Sequence, residues 1–139
     1  MNYESLCRTN ILIDLVCSRG EFLSDAQSLF SLGYAGKIQL VLSALSFVNT
    51  IYISRKYRFP MQEVKRSLLS IASFTEITGL TEDVVTWALS CDWNDYEDAT
   101  QYKSAISVDA DCIVTRNKKD YQSSNIPVYT PHEFLTMMV

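Results

Sequence analysis

Apolar residues form two kinds of pattern, which alternate along this chain. Short apolar runs, typical of buried strands, occupy residues 5–8, 38–42, 73–77, 111–115 and 127–129. Between them apolar residues recur with helical spacing, as Phe22, Ala26 and Leu29 do within residues 21–35. Strands separated by amphipathic helices, with no two strands close enough for a tight hairpin, favour a parallel sheet with helices on both faces.

Residues typical of helix ends lie at the boundaries of the predicted helices, which span residues 21–35, 44–58, 61–69, 95–108 and 131–135. Gly36 follows the first of these helices as a C-terminal stop. Ser43 and Thr81 are predicted N-caps. Thr130 and Glu133 have the spacing of a capping box that starts the terminal helix. The helix at 44–58 is expected to carry Leu45, Val48, Asn49 and Tyr52 on one stripe.

Composition and charge indicate a single globular domain without an overall positive charge. The 139 residues, 47% of them hydrophobic, fit one domain spanning residues 1–139 with a sizeable core. The net charge of −4 excludes nucleic-acid binding by overall positive charge, so any such contact depends on local clusters at 55–58, 65–66 and 116–119. Clusters of this size are more often solvated faces than binding patches.

No segment reads as a membrane span, and the N-terminus lacks the pattern of a secretory signal. Cys7, Cys17, Cys91 and Cys112 form no C-x-x-C pair, so we expect buried thiols rather than a zinc site. These features predict a cytoplasmic protein without membrane association.

An acidic cluster opens the helix at 95–108. Asp92, Asp95, Glu97 and Asp98 fall within seven residues, and one explanation is capping of a helix N-terminus. Helical spacing, however, places Asp98 on the apolar face of this helix, with Asp95 on the same stripe, while Glu97 and Gln101 are expected to point elsewhere. Because a carboxylate on an apolar face is costly unless it is paired or binds a cation, Asp98 and Asp95 are site candidates.

Five segments of the chain resemble the motifs of PIN domains, in the order in which that family has them. They are CRTNILID at 7–14, SALSFVN at 43–49, WNDYEDA at 93–99, VTRNKKDY at 114–121 and YTPHEF at 129–134. The branch that they resemble includes VapC-type toxins. The resemblance implies a three-layer α/β/α fold with a central parallel sheet of about five strands.

The same resemblance implies a ribonuclease that uses Mg²⁺ or Mn²⁺, because hard divalent cations prefer carboxylate oxygens and activate water. By this likeness the catalytic residues are Asp95, Asp98, Asn117 and Asp120, of which Asp95 and Asp98 hold the metal. Residues that position substrate or water are Asn10, Asn49, Thr115 and Arg116. The implied partners are single-stranded RNA, an antitoxin protein and a second copy of the chain in a homodimer.

Two positions depart from the family pattern. Arg8 stands where the first strand usually ends in Asp, and Asn49 stands where the central helix usually has Glu. Arg8 removes a carboxylate and adds a permanent cation, which could pair with Asp98 or Asp95 in place of a metal. Three hypotheses stay open: an endoribonuclease toxin weakened by Arg8, a catalytically degenerate module that binds protein or RNA, and a structural homologue without a nucleic-acid role.

The helices at 44–58 and 61–70 are also predicted to form a partner-binding surface. Aromatic residues such as Tyr52 and Tyr57 lie close to Arg55, Lys56 and Arg58, a mixture common at interfaces. The alternative is that these aromatic residues belong to the core.

Outside the motifs, His132 is expected to face solvent, and Trp87 and Trp93 to pack in the core. No histidine partners a serine in any motif, so serine-nucleophile chemistry is unsupported.

Overall fold

The structure is a computed structural model that describes the backbone of residues 3–7, 9–17 and 20–138, and the side chains of residues 11–17 and 20–138. Arg8 therefore lies outside the described residues. Asn10 is described only as a backbone position.

The described chain alternates strands and helices. The strands are β1 (Tyr3–Cys7), β2 (Ile38–Ser43), β3 (Glu76–Thr78), β4 (Cys112–Val114) and β5 (Val128–Tyr129). The helices are α1 (Thr9–Val16), α2 (Leu23–Tyr34), α3 (Ala44–Lys56), α4 (Met61–Ala72), α5 (Glu82–Ser90), α6 (Tyr96–Ser107) and α7 (Pro131–Met138). Short 3₁₀ helices cover Gly20–Phe22 and Lys118–Tyr121. The predicted strand at 73–77 begins late, as β3, because α4 continues to Ala72.

All strand pairs in the described sheet are parallel, and the strands lie in the order β3-β2-β1-β4-β5. The expected α/β class is confirmed. Only β1 and β2 exceed three residues. Cys7, the last residue of β1, lies beside Leu42 of β2 and Val114 of β4. The carboxyl ends of these three strands therefore meet at one edge of the sheet.

Helices cover both faces of the sheet, because successive residues of a strand point to opposite sides. Leu40 and Leu42 of β2 pack into one cluster with residues of α1, α2, α4 and α7. Val41, between them, packs into the other cluster with Tyr102 and Ala105 of α6. Trp87 and Trp93 pack against this second cluster, which confirms their predicted place in the core.

Glycine sets the position of α2 on the sheet. A Cβ atom at Gly33 would lie 2.5 Å from Leu40 Cδ1, so this glycine allows α2 to approach β2 closely. Gly36 ends the helix as predicted: its φ is +75°, and the amide of Lys37 donates to the carbonyl of Leu32 over 3.0 Å.

The predicted caps form. Ser43 Oγ accepts a hydrogen bond from the amide of Ser46, and Thr81 Oγ1 accepts one from the amide of Val84. At α7 the capping box is reciprocal, since the amide of Thr130 donates to Glu133 and the amide of Glu133 donates to Thr130. Local sequence therefore sets these helix boundaries.

Helix α3 is oriented by small polar residues. Ser46, Thr50 and Ser54 are fully buried, whereas Val48 and Tyr52 are 63% and 68% exposed. The predicted stripe thus faces outward in part. Thr50 Oγ1 donates to the carbonyl of Ser46 over 2.7 Å, while Ser54 Oγ lies 3.4 Å from Cys17 Sγ beside α1. Small side chains let α3 pack close to α1.

Cys17 and Cys112 are buried, as expected of structural thiols. Within the described residues, no helix is both long and apolar enough to cross a membrane.

Candidate active site

Asp98 lies in the first turn of α6 and is only 6% exposed. Asp95 is the N-cap of the same helix, and its Oδ1 accepts a 2.9 Å hydrogen bond from the amide of Asp98. Tyr121, which is buried behind the site, has its hydroxyl 3.5 Å from Asp98 Oδ1. The helix-cap explanation therefore holds for Asp95, while Asp98 is carried into the protein by its place on the helix.

Three of the four predicted catalytic residues line one cavity of about 190 Å³. Asp95 and Asp98 approach it from α6, and Asp120 approaches it from the 3₁₀ helix after β4. Lys119 lies at the same cavity and is the basic residue in its lining. This cavity, which we call the acidic cavity, thus brings together carboxylates that are more than twenty residues apart in the sequence.

Glu97 was expected to point elsewhere than Asp98, and it does not line the acidic cavity. It faces α3 instead, where Asn49 Nδ2 donates a 2.8 Å hydrogen bond to Glu97 Oε1. Asn49 therefore contacts the residue next to Asp98.

Gln101 is likewise directed inward. It is completely buried, and its Nε2 donates to Ser43 Oγ over 3.0 Å at the start of α3. Ser46 Oγ lies 3.4 Å from the same nitrogen. These bonds join the first turns of α3 and α6, so the helices that carry Asn49 and Asp98 are fixed to each other.

The predicted site residues in the segment after β4 differ in their exposure to solvent. Thr115 is buried, and its Oγ1 accepts a hydrogen bond from the amide of Asn117 over 3.2 Å. Asn117 is exposed and starts the 3₁₀ helix that carries Asp120. Thr115 therefore shapes the turn that presents Asp120 to the acidic cavity.

Arg116 is not directed at the acidic cavity. Its Nε lies 2.7 Å from Asp14 Oδ2 and its Nη2 lies 3.2 Å from Asp14 Oδ1, a bidentate pair. The guanidinium carbon is 4.1 Å from the centroid of the Phe22 ring. Arg116 and Phe22 lie at a second cavity of about 200 Å³, whose lining includes the exposed His132. The guanidinium of Arg116 thus forms an ion pair with α1, and its role in positioning substrate stays a prediction.

The remaining site candidates lie where β1 ends. Asn10 occupies the first turn of α1, at the carboxyl edge shared by β1, β2 and β4. Arg8, the expected place of a displaced metal ligand, is outside the described residues.

The side chains near Asp98 indicate which kind of metal ion the site could hold. No group of three or more His, Cys, Asp or Glu side chains in the described chain is arranged to bind a metal ion. Mg²⁺ keeps several waters and is commonly held by one or two carboxylates together with substrate phosphates. Asp98 and its acidic neighbours fit a cation held in that way.

Comparison with known proteins gives consistent results. A sequence model of the family described as "PIN domain" matches residues 6–119. No curated protein matches the chain significantly.

Several solved structures are similar in fold. A toxin-antitoxin complex from Klebsiella pneumoniae aligns with a TM-score of 0.67 and 26% identity, over 93% of this chain and 98% of that one. FitAB bound to an IR36 DNA fragment aligns with a TM-score of 0.70 and 13% identity, over 91% and 94% of the two chains. VapC20 from Mycobacterium tuberculosis, described as a Sarcin-Ricin loop cleaving toxin, aligns with a TM-score of 0.62 and 14% identity, over 78% and 86%.

Proposed function

This chain belongs to the PIN domain family, and from that premise we propose that it is an endoribonuclease toxin of a toxin–antitoxin pair, with a weakened divalent-metal site. The observation that carries the proposal is the acidic cavity, where buried Asp98 lies with Asp95 and Asp120 at the carboxyl edge of the sheet. Ligands of open parallel α/β sheets bind at that edge.

The residues of the cavity have separate tasks in this proposal. Asp98 supplies the carboxylate for Mg²⁺ or Mn²⁺, and Tyr121 holds that carboxylate through its hydroxyl. The bound cation would lower the pKa of a water and polarise the phosphodiester. Asp95 keeps the first turn of α6 in place, and the Asn49–Glu97 bond fixes α3 against it. Lys119 is a cation at the cavity that can contact a substrate phosphate.

Arg8 is the reason for expecting weak metal binding. In the sequence it comes directly after Cys7, the last residue of β1, and relative to Asp it changes the local charge by two units. Two unit charges about 4 Å apart interact by about 4 kcal/mol at an effective dielectric near 20. That energy corresponds to about three decades of affinity. We therefore expect Mn²⁺ to bind more weakly than micromolar.

The partner in this proposal is an antitoxin protein. One chain of the toxin-antitoxin complex from Klebsiella pneumoniae aligns with this chain at 26% identity over 98% of its own length. We expect the pair to act in the cytoplasm.

The proposal is tested by cleavage of single-stranded RNA with Mn²⁺ and with a chelator. We expect slow, Mn²⁺-dependent cleavage by the wild-type protein and none by Asp98→Asn. Asp83→Asn is the matched control, because Asp83 is an exposed acid in the first turn of another helix, α5. Its cleavage should equal that of the wild type.

Arg8→Asp provides the opposite test. Replacing the cation with a carboxylate returns a ligand suited to Mg²⁺ or Mn²⁺. We expect higher cleavage and a thermal midpoint that rises more steeply with added Mn²⁺. If neither Arg8→Asp nor the wild type cleaves RNA or gains stability with Mn²⁺, the proposed function is wrong and the acidic cluster is only a helix cap.

A second candidate function is a PIN domain that binds RNA or protein without cutting. It is favoured by Arg8 in the sequence and by the lack of a three-ligand group among the described residues. RNA binding by the wild type without cleavage, together with cleavage by Arg8→Asp, would support this candidate over the first.

A further inference from the structure

One side of α3 carries an exposed stripe of apolar, aromatic and basic residues. Val48, Tyr52 and Arg55 follow one another at spacings of four and three residues, so they share a face of the helix, and Lys56 lies beside them. Val48 and Tyr52 are 63% and 68% exposed, and Tyr57, just after the helix, is 62% exposed. We call Val48, Tyr52, Arg55, Lys56, Tyr57 and Arg58 the α3 stripe.

Positive charge is concentrated at this end of the protein. Five of the twelve Lys and Arg residues fall between positions 52 and 66, against a single acidic residue, Glu63. All five are exposed. None of them forms a salt bridge with any residue in the described part of the chain. These charges are therefore available to an anionic partner, although the protein as a whole carries −4.

The stripe begins at the candidate active site. Asn49, which bonds Glu97 beside Asp98, precedes Tyr52 by three residues and Lys56 by seven. Residues at those spacings lie along one side of a helix, and seven residues cover about 10 Å of its axis. A ligand lying along the stripe would thus reach Asn49, whose hydrogen-bond partner Glu97 is adjacent in sequence to Asp98 of the acidic cavity.

Arg58 adds an independent observation. Its φ is +62°, in the left-handed region, directly after α3 ends. The amide of Phe59 donates to the carbonyl of Ser54 over 2.9 Å, which closes the end of the helix. This position favours glycine, and a side chain there costs about 1 kcal/mol. Helix stability alone therefore does not account for arginine at this position.

We propose that the α3 stripe binds single-stranded RNA and leads it to the acidic cavity. Tyr52 and Tyr57 offer ring faces on which bases stack, and Arg55, Lys56 and Arg58 contact the phosphates. The inference rests on the proposed function, since it names where the substrate of that site is held. RNA fits better than an acidic protein because the stripe starts beside Asn49, which bonds Glu97 next to the site where a phosphodiester would react.

The test separates RNA binding from cleavage. Binding of a short fluorescein-labelled single-stranded RNA to the full-length protein is followed by anisotropy in a chelator, across a range of salt concentrations. We expect Tyr52→Ala to weaken binding about tenfold, the loss of one stacked base. Lys56→Gln should lower the slope of log K against log salt by about 0.7, the loss of one phosphate contact to a single strand.

Matched controls lie at the opposite edge of the sheet. Tyr34 is 77% exposed at the end of α2, and Lys37 is exposed just before β2 begins. Tyr34→Ala and Lys37→Gln make the same chemical changes away from the stripe, so affinity and salt slope should stay as in the wild type.

Arg58→Gly distinguishes an RNA-binding role from a structural one. Glycine suits the positive φ, so this variant should unfold at a higher temperature than the wild type while binding RNA more weakly. If the substitution instead damaged the fold, both the unfolding temperature and the affinity for RNA would fall.

The outcomes are distinct. If Tyr52→Ala and Lys56→Gln bind RNA as tightly as the wild type, the α3 stripe is not the RNA-binding surface. Asp98-dependent cleavage would in that case still support the proposed function. If these variants leave RNA binding intact but convert a dimer to a monomer in light scattering, the stripe is a contact between two copies and the inference is overturned. Absence of RNA binding by the wild type also overturns it.

Discussion

Asp14 and Asp98 are both buried carboxylates, 1% and 6% exposed, yet their surroundings differ completely. Asp14 of α1 is held by two hydrogen bonds from Arg116, which is 102 positions away in the sequence. Asp98 of α6 accepts a hydrogen bond from the Tyr121 hydroxyl and borders the cavity that Asp95, Asp120 and Lys119 also line. The Asp14 site thus combines one carboxylate with a guanidinium, whereas the Asp98 site gathers several carboxylates at one cavity.

The two sites show that buried carboxylates can have different roles. A buried carboxylate paired with a cation joins two elements, here α1 and the segment after β4, and breaking the pair leaves a charge without compensation. A buried carboxylate at a cavity, next to like charges, is suited to bind a cation from solution. Burial alone therefore does not identify an active site, and the nature of the partner does.

The largest expected effect separates the two residues by stability. Asp14→Asn keeps the shape of the side chain but removes the charge that compensates Arg116, so we expect a loss of about 3–5 kcal/mol of unfolding free energy. Urea denaturation should show a lower midpoint with an unchanged slope. A loss below about 1 kcal/mol would show that Asp14 does not act as a structural anion.

Asp98→Asn is the matched substitution. The amide oxygen can still accept from Tyr121, so this hydrogen bond should survive, and we expect the unfolding free energy in a chelator to fall by less than it does in Asp14→Asn. The wild type should gain thermal stability as Mn²⁺ is added, and the variant should not. A destabilisation as large as that of Asp14→Asn would remove the contrast between the two sites.

Phe22→Leu sharpens the account of the ion pair. Leucine keeps an apolar contact below Arg116 but removes the ring face, whose attraction for a cation is about 0.5–1 kcal/mol at an exposed site. We expect a loss of that size in urea denaturation. The loss should shrink in the Asp14→Asn background, because Arg116 is then no longer held over the ring. Equal losses in both backgrounds would mean that Asp14 does not position the guanidinium.

The smallest effect concerns Glu133, an exposed carboxylate in the capping box of α7. The amide of Thr130 and the ammonium of Lys118 hold its pKa below the ordinary value of 4.5. Its stabilising contribution is therefore complete above pH 4.5 and is lost as the pH falls through the lowered pKa. Thermal unfolding of Glu133→Gln at a series of pH values should show a smaller loss of stability in that acidic range than the wild type. Identical acid profiles would contradict the role of this cap.

Much of the fold could be predicted from sequence because its signals are local. Ser43, Thr81 and Thr130 cap helices through bonds to residues three positions away, and Gly36 ends α2 through its own positive φ. The placement of Asp98 on the apolar side of α6 follows from helical period alone. Each of these features depends on a few consecutive residues.

Contacts between distant segments could not be predicted. Glu97 meets Asn49 across 48 positions, and Gln101 meets Ser43 across 58, so neither partner can be derived from the period of α6. The inward face of α3 was also not evident, because it is made of the small hydroxyl residues Ser46, Thr50 and Ser54. A hydrophobic pattern assigns such a face to solvent.

By itself the sequence determined the order of strands and helices, the caps that delimit several of the helices, and the acidic residues that open α6. Only the tertiary structure decided which carboxylate meets Arg116 and which one shares a cavity with other acids. Asp14 and Asp98 are the same residue type, and no local pattern distinguishes them. The parallel sheet does so, because it brings α1 against the end of β4, where Arg116 reaches Asp14, and places the start of α6 beside Asp120.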